Sequence, residues 1–299
     1  MNIPQHLAYP LPAFAEPFQT RVMEGMRRLS HSRLAVVGLA RNCGVRLAEN
    51  LGRLEQLTAS AKGWQLHIET NDNTDQTVQV LADYCREYRQ ATFADQTLGR
   101  KQFSTEFAGP RTIALAEYRD ACQRWVRECA ADTDYVLVID WDQWGGWSTP
   151  GVLNGLGWLV EMPGAYGMAS VSLMQMPVIA ADREGNVQQR AEWLHYDAWA
   201  LRLNSYWDDY TNGCGGWKHH WLPPIGSPPV PVCSAFGGLA IYRTEAYLAG
   251  TYDGVNDCEH VPFHDSTAKA TGQRLYLNPS QRCIMHWMEP CAATPQPSA

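Results

Sequence analysis

The chain has no surplus of positive charge. Its 24 Lys plus Arg are outnumbered by 31 Asp plus Glu, giving a formal charge of -7. Net acidity argues against a nucleic-acid binder held mainly by phosphate contacts. An anionic ligand would need local help from clustered Arg, a metal ion or helix N-termini. No C-x-x-C pair occurs among the nine cysteines, and their number is odd. That pattern fits reduced cytosolic thiols better than a disulfide frame or a zinc ribbon. No basic segment precedes an apolar run in Met1–Pro17, which carries His6, Glu16 and four Pro, so no secretory signal is read. Uninterrupted apolar stretches of membrane length are also missing. The two longest charge-free stretches, 143–160 and 162–181, are broken by Gly and Pro. A cytoplasmic protein without an integral membrane segment is the expectation. Neither a repeat nor a linker is visible, which favours one domain.

What is present is globular. With 299 residues and 45% hydrophobic content, the chain can bury a sizeable core. Residues 1–33 read as an extended arm followed by a helix over Glu16–Ser30. Leu34–Ala40 is a continuous apolar run, the signature of a strand buried on both faces. Leu47, Leu51, Leu54 and Leu57 then repeat at helical spacing between Val45 and Lys62. A second strand over Trp64–Glu69, a helix over Thr77–Arg89, a helix over Arg111–Ala131 and a strand over Tyr135–Asp140 follow. This alternation predicts an α/β fold with a doubly wound, mostly parallel sheet and helices on both faces. Ligands of such sheets bind beyond the carboxyl ends of the strands. Three polar clusters fall there: Arg41-Asn42, Asn71 to Asp75, and Asp140-Trp141-Asp142.

The second half is less regular. It predicts a helix over Thr149–Val160 capped near Ser148, a strand over Gly167–Met174 and a turn over Asp182–Asn186. Trp193 and Trp199 are assigned to a helix. Residues 193–234 are rich in Trp, Gly and Pro, and a long irregular stretch in a compact domain is usually functional. A strand over Gly237–Tyr242 and two short closing strands, Leu275–Pro279 and Arg282–Trp287, complete the fold. One folded domain is expected over 34–290, with a first half over 34–142 and a second over 143–290. Residues 291–299 read as a disordered tail.

Two carboxylates one residue apart at a strand end, Asp140 and Asp142, can present oxygens to Mg²⁺ or Mn²⁺, which in turn holds a diphosphate. Asp75 is placed to cap the helix that begins near Thr77. Asp257-Cys258-Glu259-His260 sets two carboxylates and an imidazole within four residues. A carboxylate in such a group can take a proton from a hydroxyl or orient a polar ligand. His264 and Asp265 are weaker candidates. Aromatic faces with a polar edge suit sugar rings, and five of the 12 Trp lie between residues 193 and 221.

These residues carry a resemblance. The Asn71-Asp72-x-Thr74-Asp75-x-Thr77 turn, Arg111 and Arg119 on one helix, and the apolar strand ending in Asp140-x-Asp142 resemble GT-A glycosyltransferases. Tyr196-Asp197-Ala-Trp199-Ala-Leu-Arg202 resembles a segment of the capsule-associated α-1,3-mannosyltransferase group. So do Val232-Cys-Ser234-Ala-Phe-Gly237-Gly238, Cys258-Glu259-His260 and Leu277-Asn278-Pro279. The similarity runs in order over roughly residues 34–287. Thr70 departs from it, where that group often carries Glu, as does Gly237-Gly238.

The resemblance implies a GT-A fold with a catalytic domain over 34–290, its nucleotide-binding half over 34–142 and its acceptor half over 143–290, a GDP- or UDP-sugar donor, a glycan or glycolipid acceptor, and Mn²⁺ or Mg²⁺ as cofactor. On the donor side it implies Ala40, Arg41, Asn71, Asp72, Arg111, Arg119, Asp140 and Trp141. It implies Asp140, Asp142 and a late His286 as metal ligands, and Glu259 with Asp257 as catalytic acids. On the acceptor side it implies Tyr196, Asp197, Trp217, Trp221, Gly237, Gly238 and His260. A nucleotidyltransferase on a similar sheet is a second reading, although the segment after the first strand has only one Gly where such an enzyme wants a Gly-rich loop. A non-catalytic carbohydrate-binding protein using the Trp surface is a third, and it would not need the Asp140-x-Asp142 strand end.

Overall fold

A computed structural model describes residues 3–103, 109–181, 183–203 and 216–286. The expected tail over 291–299, Trp287 and Trp207 lie outside the described residues. The amino-terminal segment is more structured than an extended arm. It holds a single helical turn, α1 (Gln5–Ala8), and then the amphipathic helix α2 (Ala15–Leu29), which buries Phe18, Val22, Gly25 and Leu29.

The first half follows the predicted alternation. Strand β1 (Arg33–Ala40) pairs in parallel with β2 (Gly63–Asn71) on one side and β4 (Tyr135–Asp140) on the other. Helices α3 (Gly44–Thr58), α4 (Thr77–Glu87) and α5 (Pro110–Cys129) make the crossovers. The apolar run of β1 is divided between two cores by strand alternation. Leu34 and Val36 pack with Leu47 and Leu54 of α3, while Ala35 and Val37 pack with Cys122 and Val126 of α5. One further strand escaped the sequence reading: β3 (Ala91–Gln96) lies at the sheet edge, parallel to β2. Only Ala91 of its six residues is buried, so it carries no hydrophobic run to announce it.

The second half supplies β5 (Gly146–Trp147), α6 (Thr149–Glu161), β6 (Ala165–Ala181), β7 (Val187–His195), β8 (Val230–Val232), β9 (Leu239–Arg243), α7 (Thr244–Ala249), α8 (His260–Thr271) and β10 (Arg274–His286). As expected, Ser148 caps α6, its hydroxyl accepting from Gly151 N–H at 3.1 Å. The sheet order is β3-β2-β1-β4-β9-β6-β10-β5, with β7 on β6 and β8 on β10. β9 is antiparallel to both β4 and β6, and it joins the two halves into one sheet.

Three expectations are corrected. Trp193 lies on strand β7, paired with Gln175 of β6, rather than on a helix with Trp199. The predicted strand 167–174 runs on to Ala181 as one arm of a hairpin; of the predicted turn over 182–186, Asp182 lies outside the described residues and 183–186 fall between the two arms. The two closing strands are one, β10, with a register shift between Asn278 and Arg282. The Pro279 that broke the sequence pattern falls in this irregularity, where a strand tolerates a residue without a backbone N–H.

Candidate active site

Topology gathers the polar strand ends. Ala40 ends β1, Glu69 and Asn71 end β2, Asp140 ends β4, and all four line one cleft. The floor is completed by α5, which contributes Arg111 and Arg119, and by the segment leading into α8, which contributes Glu259 and His260. Asp142, Tyr196, Asp197 and Gly238 close the other side. The cleft thus brings together twelve of the residues singled out from sequence: Ala40, Arg41, Asn71, Arg111, Arg119, Asp140, Asp142, Tyr196, Asp197, Gly238, Glu259 and His260.

Arg119 is the hub. Its side chain is only 3% exposed, because α5 packs it against the sheet. Nη2 donates to Asp140 Oδ1 at 2.6 Å, Nε stands 3.7 Å from Glu259 Oε1, and the guanidinium lies 4.8 Å over the Phe236 ring. Burial alone would lower its pKa, but Asp140 and Glu259 outweigh that and hold it raised. Glu259 is pushed up by burial, with Arg119 opposing. His260 stacks on Phe236 with 3.9 Å between ring centroids. Burial, and then Arg119 and His264, hold it well below the ordinary imidazole range, so it is neutral near pH 7. Neither of its ring nitrogens has a hydrogen-bond partner among the described residues; Nε2 stands 3.5 Å from Glu259 Oε1.

Asp142 reaches the solvent of the cleft. Desolvation by the cleft walls, and then the negative charge of Asp140, hold its carboxyl above the ordinary carboxylate range. Asp140 and Asp142, both in the cleft lining at one strand end, form an oxygen donor set that a divalent cation can neutralise. Mg²⁺ and Mn²⁺ sites of this kind draw their remaining ligands from phosphate and water. The donor chemistry therefore fits the implied metal, although no group of three His, Cys, Asp or Glu positioned for a metal occurs among the described residues.

Asp197 binds the backbone. Its Oδ2 accepts from Gly237 N–H at 2.8 Å and its Oδ1 from Ala200 N–H at 3.3 Å. Burial pushes it up to about 7 despite these bonds. Gly237 has φ 71°, and a Cβ there would lie 2.1 Å from Ser170 O, so only glycine fits this turn. Gly237 shapes the wall behind Gly238 and does not itself line the cleft.

Six further residues stand elsewhere than expected. Trp141 is fully buried in the core, edge-on to Trp147, because strand alternation turns it away from the face of Asp140. Asp72 does not line the cleft; its carboxylate accepts three backbone N–H groups from residues 98–100. Asp257 accepts from Arg202 Nη2 at 2.8 Å, outside the cleft lining. His286 is exposed and tilts against Trp144, while its neighbour Met285 lines the cleft. Trp217 and Trp221 form an aromatic pair, centroids 6.1 Å apart, away from the cleft. Among the described Trp of this stretch, Trp199 lines the cleft, with the Arg111 guanidinium 5.6 Å over its ring. His264, a weaker candidate, bridges Ser234 Oγ and Tyr242 OH, both at 2.9 Å, within the core. Sequence reasoning also missed Glu69, Gln102, Phe103, Tyr118 and Met285 in the cleft lining. Only Glu69, a carboxylate at a strand end, left a signal that topology could have used.

No helix among the described residues is long and apolar enough to cross a membrane. No family model matches the chain, and neither does any curated protein. Among solved structures it is similar to the Mannosyltransferase PcManGT from Pyrobaculum calidifontis in complex with GDP-Man and Mn²⁺. Identity is 13% and the TM-score 0.47, over 91% of this chain and 66% of that one. It is also similar to GalNAc-T7 with UDP, GalNAc and Mn²⁺, at 11% identity and TM-score 0.47, over 95% and 55% of the two chains. A third likeness is to S. aureus TarS in complex with UDP-GlcNAc, at 13% identity and TM-score 0.43, over 86% and 59%. The chain spans less than two thirds of the length of each, and all three likenesses are distant.

Proposed function

We propose that this protein is a metal-dependent glycosyltransferase of GT-A type. It moves a hexose from a GDP- or UDP-sugar to a glycan or glycolipid acceptor. The observation that carries this reading is the charge arrangement at the end of β4: Asp140 and Asp142 face a cleft in which the buried Arg119 links Asp140 to Glu259. Asp140 and Asp142 would hold Mg²⁺ or Mn²⁺, which supplies positive charge against the departing diphosphate. Arg119 fixes the Asp140 rotamer and offsets the negative charge of the acidic cluster. Arg111 adds positive charge for the diphosphate and ribose, while Ala40 and Arg41 line the nucleotide pocket. Tyr196, Asp197 and Gly238 form the sugar and acceptor side, with the Trp199 face suited to the apolar side of a hexose. Glu259 takes the acceptor proton if the reaction inverts, and orients sugar or acceptor if it retains. His260, buried on the Phe236 ring beside Glu259, backs this wall of the cleft.

The test is release of UDP or GDP from a panel of nucleotide sugars, with and without Mn²⁺. Metal-dependent release is expected, with a loss of at least about a hundredfold in Asp142→Ala. Unchanged release in that variant would remove the metal site from the reading.

A further inference from the structure

Residues 98–103, between β3 and α5, are held across the outer end of the cleft by an unusual set of tethers. Asp72 sits in the left-handed backbone region with φ 47°, rare for a residue other than glycine. From there its carboxylate accepts three consecutive N–H groups: Leu98 at 2.9 Å, Gly99 at 2.8 Å and Arg100 at 3.0 Å. Arg41 works on the opposite polarity. Its Nη2 donates to Arg100 O at 2.5 Å and its Nη1 to Lys101 O at 3.0 Å. Arg100 in turn donates to the Tyr118 hydroxyl at 3.1 Å and pairs with Glu117 on α5. Asn42 Nδ2 reaches Gln102 Oε1 at 3.3 Å.

An anion at the start of this segment and a cation at its middle thus fix a stretch that has no sheet or helix ladder of its own. The result of all this tethering is to present Gln102 and Phe103 to the cleft, beside Asn71 and Glu69. β3, from which the segment leaves, is three strand spacings from β4 and its Asp140, about 14 Å. That is of the order of the length of a nucleoside diphosphate whose phosphates lie at Asp140.

We propose that residues 98–103 form a strap that completes the nucleobase end of the cleft. Phe103 supplies a stacking face for the base, and Asp72 and Arg41 act as positioning residues that hold the strap. The ligand class is a nucleoside diphosphate, read through its flat base. This rests on the glycosyltransferase reading but goes beyond it. It reassigns Asp72 from ligand contact to the support of a segment that carries no motif.

The experiment compares two probes by calorimetry in the presence of Mn²⁺: GDP or UDP, and inorganic pyrophosphate, which has no base. Phe103→Ala and Asp72→Ala are each expected to weaken nucleoside diphosphate binding about tenfold, the scale of one lost base–aromatic stack. Pyrophosphate affinity should not change. Asp72→Asn, which keeps one carbonyl acceptor, should recover part of the loss. A role in stability alone would lower the melting temperature of Asp72→Ala without changing the ratio of the two affinities, and that would overturn the proposal. If Asp72→Ala does not fold, Phe103→Ala decides: an unchanged ratio overturns the strap and a lowered ratio supports it. Should the wild-type protein bind neither nucleotide, the glycosyltransferase reading itself fails. Binding with a ratio unaltered in every variant defeats only the strap.

Discussion

At the scale of single residues, Arg119 has the largest energetic stake. It is buried with two carboxylates that have little else to neutralise them. Removing one partner of a buried ion pair leaves the others uncompensated, at about 3–5 kcal/mol. Arg119→Ala is therefore expected to lower unfolding stability by that amount in denaturant titration. Arg119→Lys should recover only part, because an ammonium cannot reach Asp140 and Glu259 with a planar fork. Asp197 gives a prediction with a sign. Its carboxyl is held up at about 7 from an ordinary 3.8, with Asp140 and Glu259 adding to the effect of burial. Between those two values the folded state keeps the proton and the unfolded state has lost it. Asp197 thus costs stability progressively as pH rises from about 4 through 7. Asp197→Asn cannot titrate, so its melting temperature relative to wild type should rise across that window and level off above it. A flat difference between pH 4 and 8 would show that Asp197 is ionised throughout. The sequence showed much of this site, because Asp140, Asp142 and Glu259 stand at ends of predictable elements. It did not show which neighbours face away. Trp141 and Asp72 flank true cleft residues, and only alternation along the chain and the path of residues 98–103 decide their direction.

At the scale of elements, legibility followed burial. β1 and β4 are buried on both faces and read as unbroken apolar runs, so their bounds were recovered to within a residue. β3 and β7 each have a single strand partner among the described residues; the polar sequence of β3 left it unread, and Trp193 of β7 was assigned to a helix. β10 was split in two because Pro279 sits where its pairing with β6 shifts register. The contact of α2 with α6 is equally hidden in sequence, since it depends on absent side chains. A Cβ on Gly25 would lie 1.8 Å from Leu153 O, and one on Gly157 would lie 2.1 Å from Arg21 O. The two helices meet backbone to backbone. Gly157→Ala should force them apart at about 1–3 kcal/mol, seen as a lower denaturation midpoint. Gly164→Ala is the control, because no atom lies within 4 Å of a Cβ there.

At the scale of the whole molecule, the cleft is a property of both halves. Asp140 ends a strand of the first, whereas Tyr196, Asp197, Gly238 and Glu259 come from the second. Arg119 ties the two through its carboxylate partners, so heating should give a single transition in which the near- and far-ultraviolet signals coincide. The seam itself is β9, whose residues Leu239 to Arg243 pair antiparallel with Ile139 to Tyr135. That strand covers the flank of β4, a row of backbone donors and acceptors between Val136, Leu137 and Val138 that are each at most 1% exposed in the intact chain. A fragment comprising residues 34–142 would uncover that row as a flat, apolar sheet margin, the kind that templates intermolecular pairing. Such a fragment should come out of solution as β-rich aggregate, whereas the full chain, in which β9 covers this row and α2 covers α6, should stay in solution under the same conditions. In the intact protein, the strand that joins the two halves of the sheet also serves as its guard against self-association.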